Sequence, residues 1–328
     1  GVGDHQVGVH LQLHAQAGAI GAGAVRAVEA EGAGGNLAQA DAAVDAGEVL
    51  AEQQVLALHN ADEHHAGAQL QRRLHRVAQP YPDLVIHHQP VHDHLDGGLR
   101  AQTIIEIAAR IGYALPTTNP SELEDWFEAA CNSGSLERYL ETFEHTVAVM
   151  QTREDIIRIS RECALDLARD GVIYAEVRGA PELFTRAGLT MDEVITATVE
   201  GFRLGESDAR KEGLEIRVES ILCALRQNNV AQEVAEKVVH FRDRGVVGFD
   251  IAGPEDGFPP TNQLDTFNYL RQEDAHFTIH AGEAYGLPSI WQAIQMCGAE
   301  RLGHGVRIID DIDLSGSTPK LGQLASYI

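Results

Sequence analysis

Residues 1–80 contain no serine, threonine, lysine, cysteine, methionine, phenylalanine, tyrosine or tryptophan, and a single isoleucine. A stretch without aromatic and branched side chains lacks the material of a packed core. Alanine and glycine fill it instead, with seven histidines (His5, His10, His14, His59, His64, His65 and His75) at irregular spacing. An alanine-rich helix over 35–58 fits the composition, yet no apolar face tells it where to dock. Gly18, Gly21 and Gly23 do not make a dinucleotide fingerprint, because no strand precedes them and the third glycine is out of place. The segment reads as an extension, disordered or an artefact of translation, with a histidine-rich metal-handling arm as the alternative.

Further absences narrow the function. Lysine and arginine total 25 against 49 acidic residues, a formal charge of −24, which repels nucleic acid and acidic membrane surfaces. No apolar run approaches the length of a membrane span. The four cysteines, Cys131, Cys163, Cys223 and Cys297, include no C-x-x-C pair. Two of them lie in apolar periodic segments, so the expectation is free buried thiols in a reducing cytoplasm. No basic start followed by an apolar centre marks a signal peptide. There is no G-x-S-x-G elbow, no phosphate-binding glycine loop and no Cys/His nucleophile pair.

Ordinary globular sequence begins at Tyr81, and 81–328 reads as one α/β unit. Strand signals rich in branched residues fall at 84–96, 172–178, 216–222, 246–251, 277–280 and 301–305. Helical periodicity fills the gaps at 103–111, 190–204, 230–241, 263–272 and 288–296. The segment 120–150 adds two or three helices outside this rhythm, opened by a capping box of Ser121 and Glu124. Thr152 with Asp155, and Thr190 with Glu193, start further helices. Such alternation predicts parallel strands joined by crossover helices, a (β/α)8 barrel of the TIM type with six of its units present.

Polar residues gather at the carboxyl ends of these strands, the active-site face of such a barrel. Side chains alternate along a strand, so His92, His94 and Asp96 share one face. Two imidazoles so placed can hold one zinc ion, with His280 from a later strand as a third ligand. Glu283 lies three residues beyond His280, placed to face a substrate. His304, between Gly303 and Gly305, can take a proton from an attacking water or orient it. Alone, H-x-H and His-x-x-Glu are weak signals; at the ends of three strands they make a catalytic metal site the better reading. His87, His88, His145, His240 and His276 read as surface or strand-edge residues. Glu176 and Arg178 read as a buried ion pair or as substrate contacts.

Five motifs carry a resemblance. They are His92-Asp93-His94-Leu95-Asp96-Gly97-Gly98-Leu99-Arg100, Tyr174-Ala175-Glu176-Val177-Arg178, Gly248-Phe249-Asp250-Ile251-Ala252-Gly253, His280-Ala281-Gly282-Glu283 and Leu302-Gly303-His304-Gly305. Together they resemble the bacterial adenosine deaminases of the metal-dependent amidohydrolase barrels. The resemblance implies one Zn2+ per chain on His92, His94 and His280, with Glu283 protonating the purine ring nitrogen and His304 deprotonating the water. It also implies that His94, Asp96 and the Gly253 backbone meet the substrate, Asp96 at a ribose hydroxyl. The activity implied is hydrolysis of adenosine or deoxyadenosine to inosine and ammonia in purine salvage, with a small-molecule substrate, no nucleic acid and no membrane. The helices of 120–150 would cover the pocket.

In that family a further strand and an aspartate pair follow, one aspartate completing the zinc shell. No counterpart follows here, and Asp310, Asp311 and Asp313 come too early. The expectation is a chain truncated at its carboxyl end, open between its sixth and first strands, whose activity the missing aspartates put in question. Deamination of another aminopurine and a non-catalytic zinc-binding remnant are the alternatives. The sequence gives no oligomeric state.

Overall fold

The structure, a computed structural model, describes residues 10–11, 93–133, 136–316 and 318–328. A two-residue strand, β1 (His10–Leu11), comes first. The apolar runs then form successive parallel strands: β2 (Asp93–His94), β3 (Tyr174–Gly179), β4 (Arg217–Leu225), β5 (Val246–Ala252), β6 (Thr278–Ala281) and β7 (Arg301–His304). β2 to β5 are hydrogen-bonded in chain order, and β6 pairs with β7. A parallel bridge between Phe249 and Phe277 links the two groups, so the wall continues from β5 into β6. All six expected strands are therefore present in the expected order, although 84–92, with His87, His88 and His92, lies outside the described residues. The outer edge of β7, expected to be open, pairs in parallel with β1, His10 opposite Arg301 and Leu11 opposite Leu302.

The helices are α1 (Ala101–Ile111), α2 (Pro120–Cys131), α3 (Leu136–Ala148), α4 (Arg153–Arg169), α5 (Met191–Lys211), α6 (Ala231–Phe241), α7 (Leu264–Gln272) and α8 (Leu287–Trp291). α2 and α3 are the helices outside the βα rhythm, and they pack on α1 and on each other. The cap of α2 is not the expected Ser121. Asn119 takes that place, its side chain accepting the N–H groups of Ser121 and Glu122. Pro120 then occupies the first helical position, where the missing N–H costs nothing. Thr152 caps α4 and the Thr190–Glu193 box caps α5, as expected. After β7 come the antiparallel pair β8 (Ile312–Asp313) and β9 (Lys320–Leu321) and a last short helix, α9 (Gln323–Tyr327). Asp311 accepts the N–H groups of Leu324 and Ala325 at 2.8 Å each, so it caps that helix.

β4 is buried along nearly its whole length, as a parallel strand covered on both sides must be. Outside it, Val177 and Val218 pack with Ile156, Ile159 and Phe202. Farther round, Phe249, Phe277, Ile279 and Leu302 pack with Phe267 and Val238. Cys163, Cys223 and Cys297 are buried free thiols, and Cys131 is a half-buried one. No helix among the described residues is long and apolar enough to cross a membrane.

α5 runs seven residues past its expected end at Leu204, because Gly205 is a crossing point rather than a stop. A Cβ at Gly205 would lie 2.5 Å from the Arg161 carbonyl oxygen, and one at Gly201 would lie 2.6 Å from that of Ile157. The glycines let α4 and α5 touch backbone to backbone. Gly201→Ala with Gly205→Ala gains up to about 1 kcal/mol of helix propensity per site but overpacks at about 1–3 kcal/mol each. Thermal denaturation of the double variant is expected to show a lower Tm than the parent.

Candidate active site

Five strands, β2, β3, β5, β6 and β7, deliver residues from their carboxyl ends to one place. His94, at the end of β2, lies with Nε2 3.0 Å from Nε2 of His280 on β6. The other ring nitrogen of His280, Nδ1, is 3.0 Å from Asp250 Oδ2 on β5. That oxygen also accepts the Arg178 Nε–H from β3 at 3.0 Å. Asp250 Oδ1 accepts two backbone N–H groups, those of Ile251 at 2.7 Å and His280 at 3.1 Å. Burial by itself would raise the Asp250 pKa; His280, Arg178 and these hydrogen bonds outweigh it and hold the carboxyl at about 2. Asp250 is thus an anion that favours a proton on His280 Nδ1, which makes Nε2, the nitrogen facing His94, the basic one. Burial pushes the His280 pKa down, which also favours the neutral ring.

Arg178 therefore does not pair with Glu176, as the sequence suggested. Asp250 is its partner, and Glu176 instead meets Arg301 on β7 at 2.5 Å. Both residues are structural ion-pair members, but of different pairs.

His304 ends β7 with a φ of +66°, one of two non-glycine residues in the left-handed region among the described residues. Register explains why. His304 lies opposite Ala281, so a regular pleat would send its ring away from His280. The left-handed turn re-aims it, and the rings of His280 and His304 meet at 5.0 Å between centroids. Such backbone strain costs about 1–3 kcal/mol and collects at functional sites. Glu283 Oε2 lies 3.7 Å from His304 Nε2. Burial raises the Glu283 carboxyl to about 7, with Glu255 adding to the rise and His280 and Arg226 opposing it. Near neutral pH it both holds and releases a proton, as a general acid or base must.

The geometry also gathers Asp96, buried in the turn after β2, with Oδ1 lacking a hydrogen-bond partner among the described residues. Burial raises its carboxyl to about 7. Gly253 follows β5 with a φ of +95°, and a Cβ there would lie 2.6 Å from Gln227 Oε1. Every predicted site residue that is described sits at a strand's carboxyl end or in the turn just beyond it; His92 lies outside the described residues. Three residues were missed. Asp250 appeared in a motif without a role, and Arg226 and Glu255 did not appear at all. Arg226 is buried and donates to the carbonyls of His280 and Phe258. Glu255 is 3% exposed and accepts backbone N–H groups from the segment that carries Glu283. Neither residue has a spacing pattern, since each partner is about thirty or more positions away in sequence.

Of the remaining histidines, His240 is exposed and His276 pairs with Glu300 at 2.8 Å on the surface. His145 is half-buried, bonded to Tyr113 at 3.0 Å and edge-on to Trp126, so it belongs to the helical insert's packing.

The adenosine deaminase family model matches residues 88–323. The chain belongs to the adenosine deaminase family. It is 59% identical over 253 residues to adenosine deaminase 1 of Streptomyces coelicolor, covering 76% of this chain and 64% of that one. The chain thus spans a little under two thirds of the length of that relative. Among solved structures it is similar to an adenine deaminase from Arthrobacter aurescens, with a TM-score of 0.58 and 24% identity over 67% of this chain and 65% of that one. An amidohydrolase from Burkholderia ambifaria with bound zinc gives a TM-score of 0.54 and 23% identity over 67% and 59% of the two chains. Both likenesses establish the α/β barrel of the TIM type.

Membership raises the question of a metal, and two of the described residues, His94 and His280, suit one. Two Nε2 atoms converge to 3.0 Å, with one ring's other nitrogen tied to a carboxylate. Tetrahedral zinc, with bonds of about 2.0–2.1 Å, holds neighbouring ligand atoms about 3.3 Å apart. Among the described residues no third His, Cys, Asp or Glu completes such a group.

Proposed function

We propose that the chain hydrolyses adenosine to inosine, and deoxyadenosine to deoxyinosine, each with release of ammonia, as a cytoplasmic step of purine salvage that uses one zinc ion. The observation that carries this reading is a largely buried carboxyl, Glu283, poised at about 7 and 3.7 Å from the re-aimed His304. His92, His94 and His280 would hold the zinc. When bound, the ion supplies Lewis acidity that lets water act as a nucleophile at neutral pH.

The chain's own residues do the rest. Glu283 donates its proton to the ring nitrogen beside the amino-bearing carbon, drawing electron density from that carbon. His304 takes a proton from the attacking water. A carbon–oxygen bond forms; His304 passes its proton to the amino group, the carbon–nitrogen bond breaks to release ammonia, and the new hydroxyl loses its proton to Glu283 as the carbonyl forms. Asp250 keeps His280 in one tautomer throughout. The unpartnered oxygen of Asp96 accepts a ribose hydroxyl, and the N–H of Gly253 meets a second ring nitrogen. That ribose contact favours a nucleoside over a free base.

Comparing inhibition by a ribose-bearing transition-state mimic and its free-base counterpart tests the substrate class. Tighter binding of the ribose form, reduced about tenfold or more by Asp96→Ala, is the expected result. Equal inhibition by both would assign the site to the free base.

A further inference from the structure

The segment 282–285 carries Glu283, yet among the described residues none of its N–H groups donates to a backbone carbonyl. Its donors go to one side chain. Glu255 Oε1 accepts the N–H of Gly282 at 2.6 Å, and Oε2 accepts those of Ala284 at 2.7 Å and Tyr285 at 2.8 Å. Three backbone donors curled around one buried carboxylate form an anion nest, here filled by the protein's own side chain. On the strand side, Arg226 grips the His280 carbonyl. Gly282 closes the turn at a φ of +72°, where a Cβ would lie 2.5 Å from Ile290. A left-handed glycine allows the fold of this turn, and the carboxylate gives its amides an acceptor.

We propose that Glu255 is a positioning residue for the deamination, holding through three backbone N–H groups the turn on which Glu283 faces His304. The proposal rests on the reading of Glu283 as the proton donor. Glu255 acts through the backbone: its carboxylate takes the N–H groups of Gly282, Ala284 and Tyr285, while the Arg307 N–H donates to the Gly282 carbonyl from the other side of the turn. A glutamine keeps the size but presents one acceptor oxygen and an amide that faces N–H groups, so the nest cannot close.

The test uses the full zinc-loaded chain and Glu255→Gln, with Glu255→Asp as a variant that keeps the charge but is one methylene shorter. For Glu255→Gln the expected kcat for adenosine is about 10²-fold lower, the cost of a misplacement of about 1 Å. KM should stay within about threefold and zinc content should not change, the split expected when only transition-state interactions are lost. Amide hydrogen exchange at Gly282, Ala284 and Tyr285 should speed up by about tenfold or more, while β6 stays protected. Glu255→Asp should fall between parent and glutamine variant in both readouts. A kcat within twofold of the parent, or unchanged exchange at the three amides, would overturn the proposal. A parent without turnover would overturn the deaminase reading; the exchange data would then decide the anchor by themselves.

Discussion

Glu283→Gln is expected to lower kcat for adenosine by about 10²–10⁴-fold, the contribution of a positioned general acid, and to make the metal-free protein more stable at pH 8. The two effects have one cause. The site keeps a carboxyl at about 7 where an unfolded chain has it near 4.5, chiefly by burying it. The charged form is therefore penalised in the folded state. Because the folded pKa is the higher one, stability is lost as pH rises from about 4.5 to about 7, and the loss is complete above that. The gap corresponds to about 3 kcal/mol, an order-of-magnitude figure for a group 11% exposed. Glutamine carries no charge and escapes the penalty. Urea denaturation of parent and variant after chelation should show curves that coincide at pH 4 and separate at pH 8, with the variant more stable. A variant no more stable at pH 8 would mean that Glu283 is not buried as a poised acid.

The second large effect belongs to Asp250. Asp250→Ala is expected to weaken zinc binding by about 10–100-fold, the usual consequence of removing a carboxylate behind a ligating histidine. It should also destabilise the metal-free chain by about 3–5 kcal/mol, because Arg178 would be left buried and unpaired. Arg178 is 2% exposed and Asp250 fully buried, so water cannot replace either partner. Replacing both, as Arg178→Met with Asp250→Leu, should recover much of the stability but not the zinc affinity. A competition titration with a chelator reads the first effect and urea denaturation reads the second. Parallel loss and recovery of both quantities would reduce Asp250 to a packing residue.

Most of the fold was legible because parallel strands buried on both faces leave dense branched runs, as at Val246 to Val247 and Ile279. The strand ends were legible too, since polar residues interrupt such runs only where they are used. His94, His280, Glu283 and His304 stood out for that reason, and the structure brings them together. Partners were not legible. Glu176 and Arg178 sit two apart on one strand, which suggested a pair, whereas the actual partners come from β7 and β5. Glu255 looks like any loop acid until the three backbone donors around it are seen. The helix was expected to end near Leu204 because sequence does not show a crossing helix at Gly205; the Arg161 carbonyl it accommodates is forty-odd positions away. Local patterns report which face a residue takes, while the pairings that position the chemistry depend on long-range closure of the sheet.

The most direct test of the deaminase reading is inosine and ammonia formation from adenosine by the purified zinc-loaded chain, with Glu283→Gln and His304→Gln alongside. The account predicts equimolar inosine and ammonia from the parent, and at least a hundredfold slower turnover from each variant despite unchanged zinc content. A folded, zinc-loaded parent that forms no inosine, or a Glu283→Gln variant as fast as the parent, would contradict it.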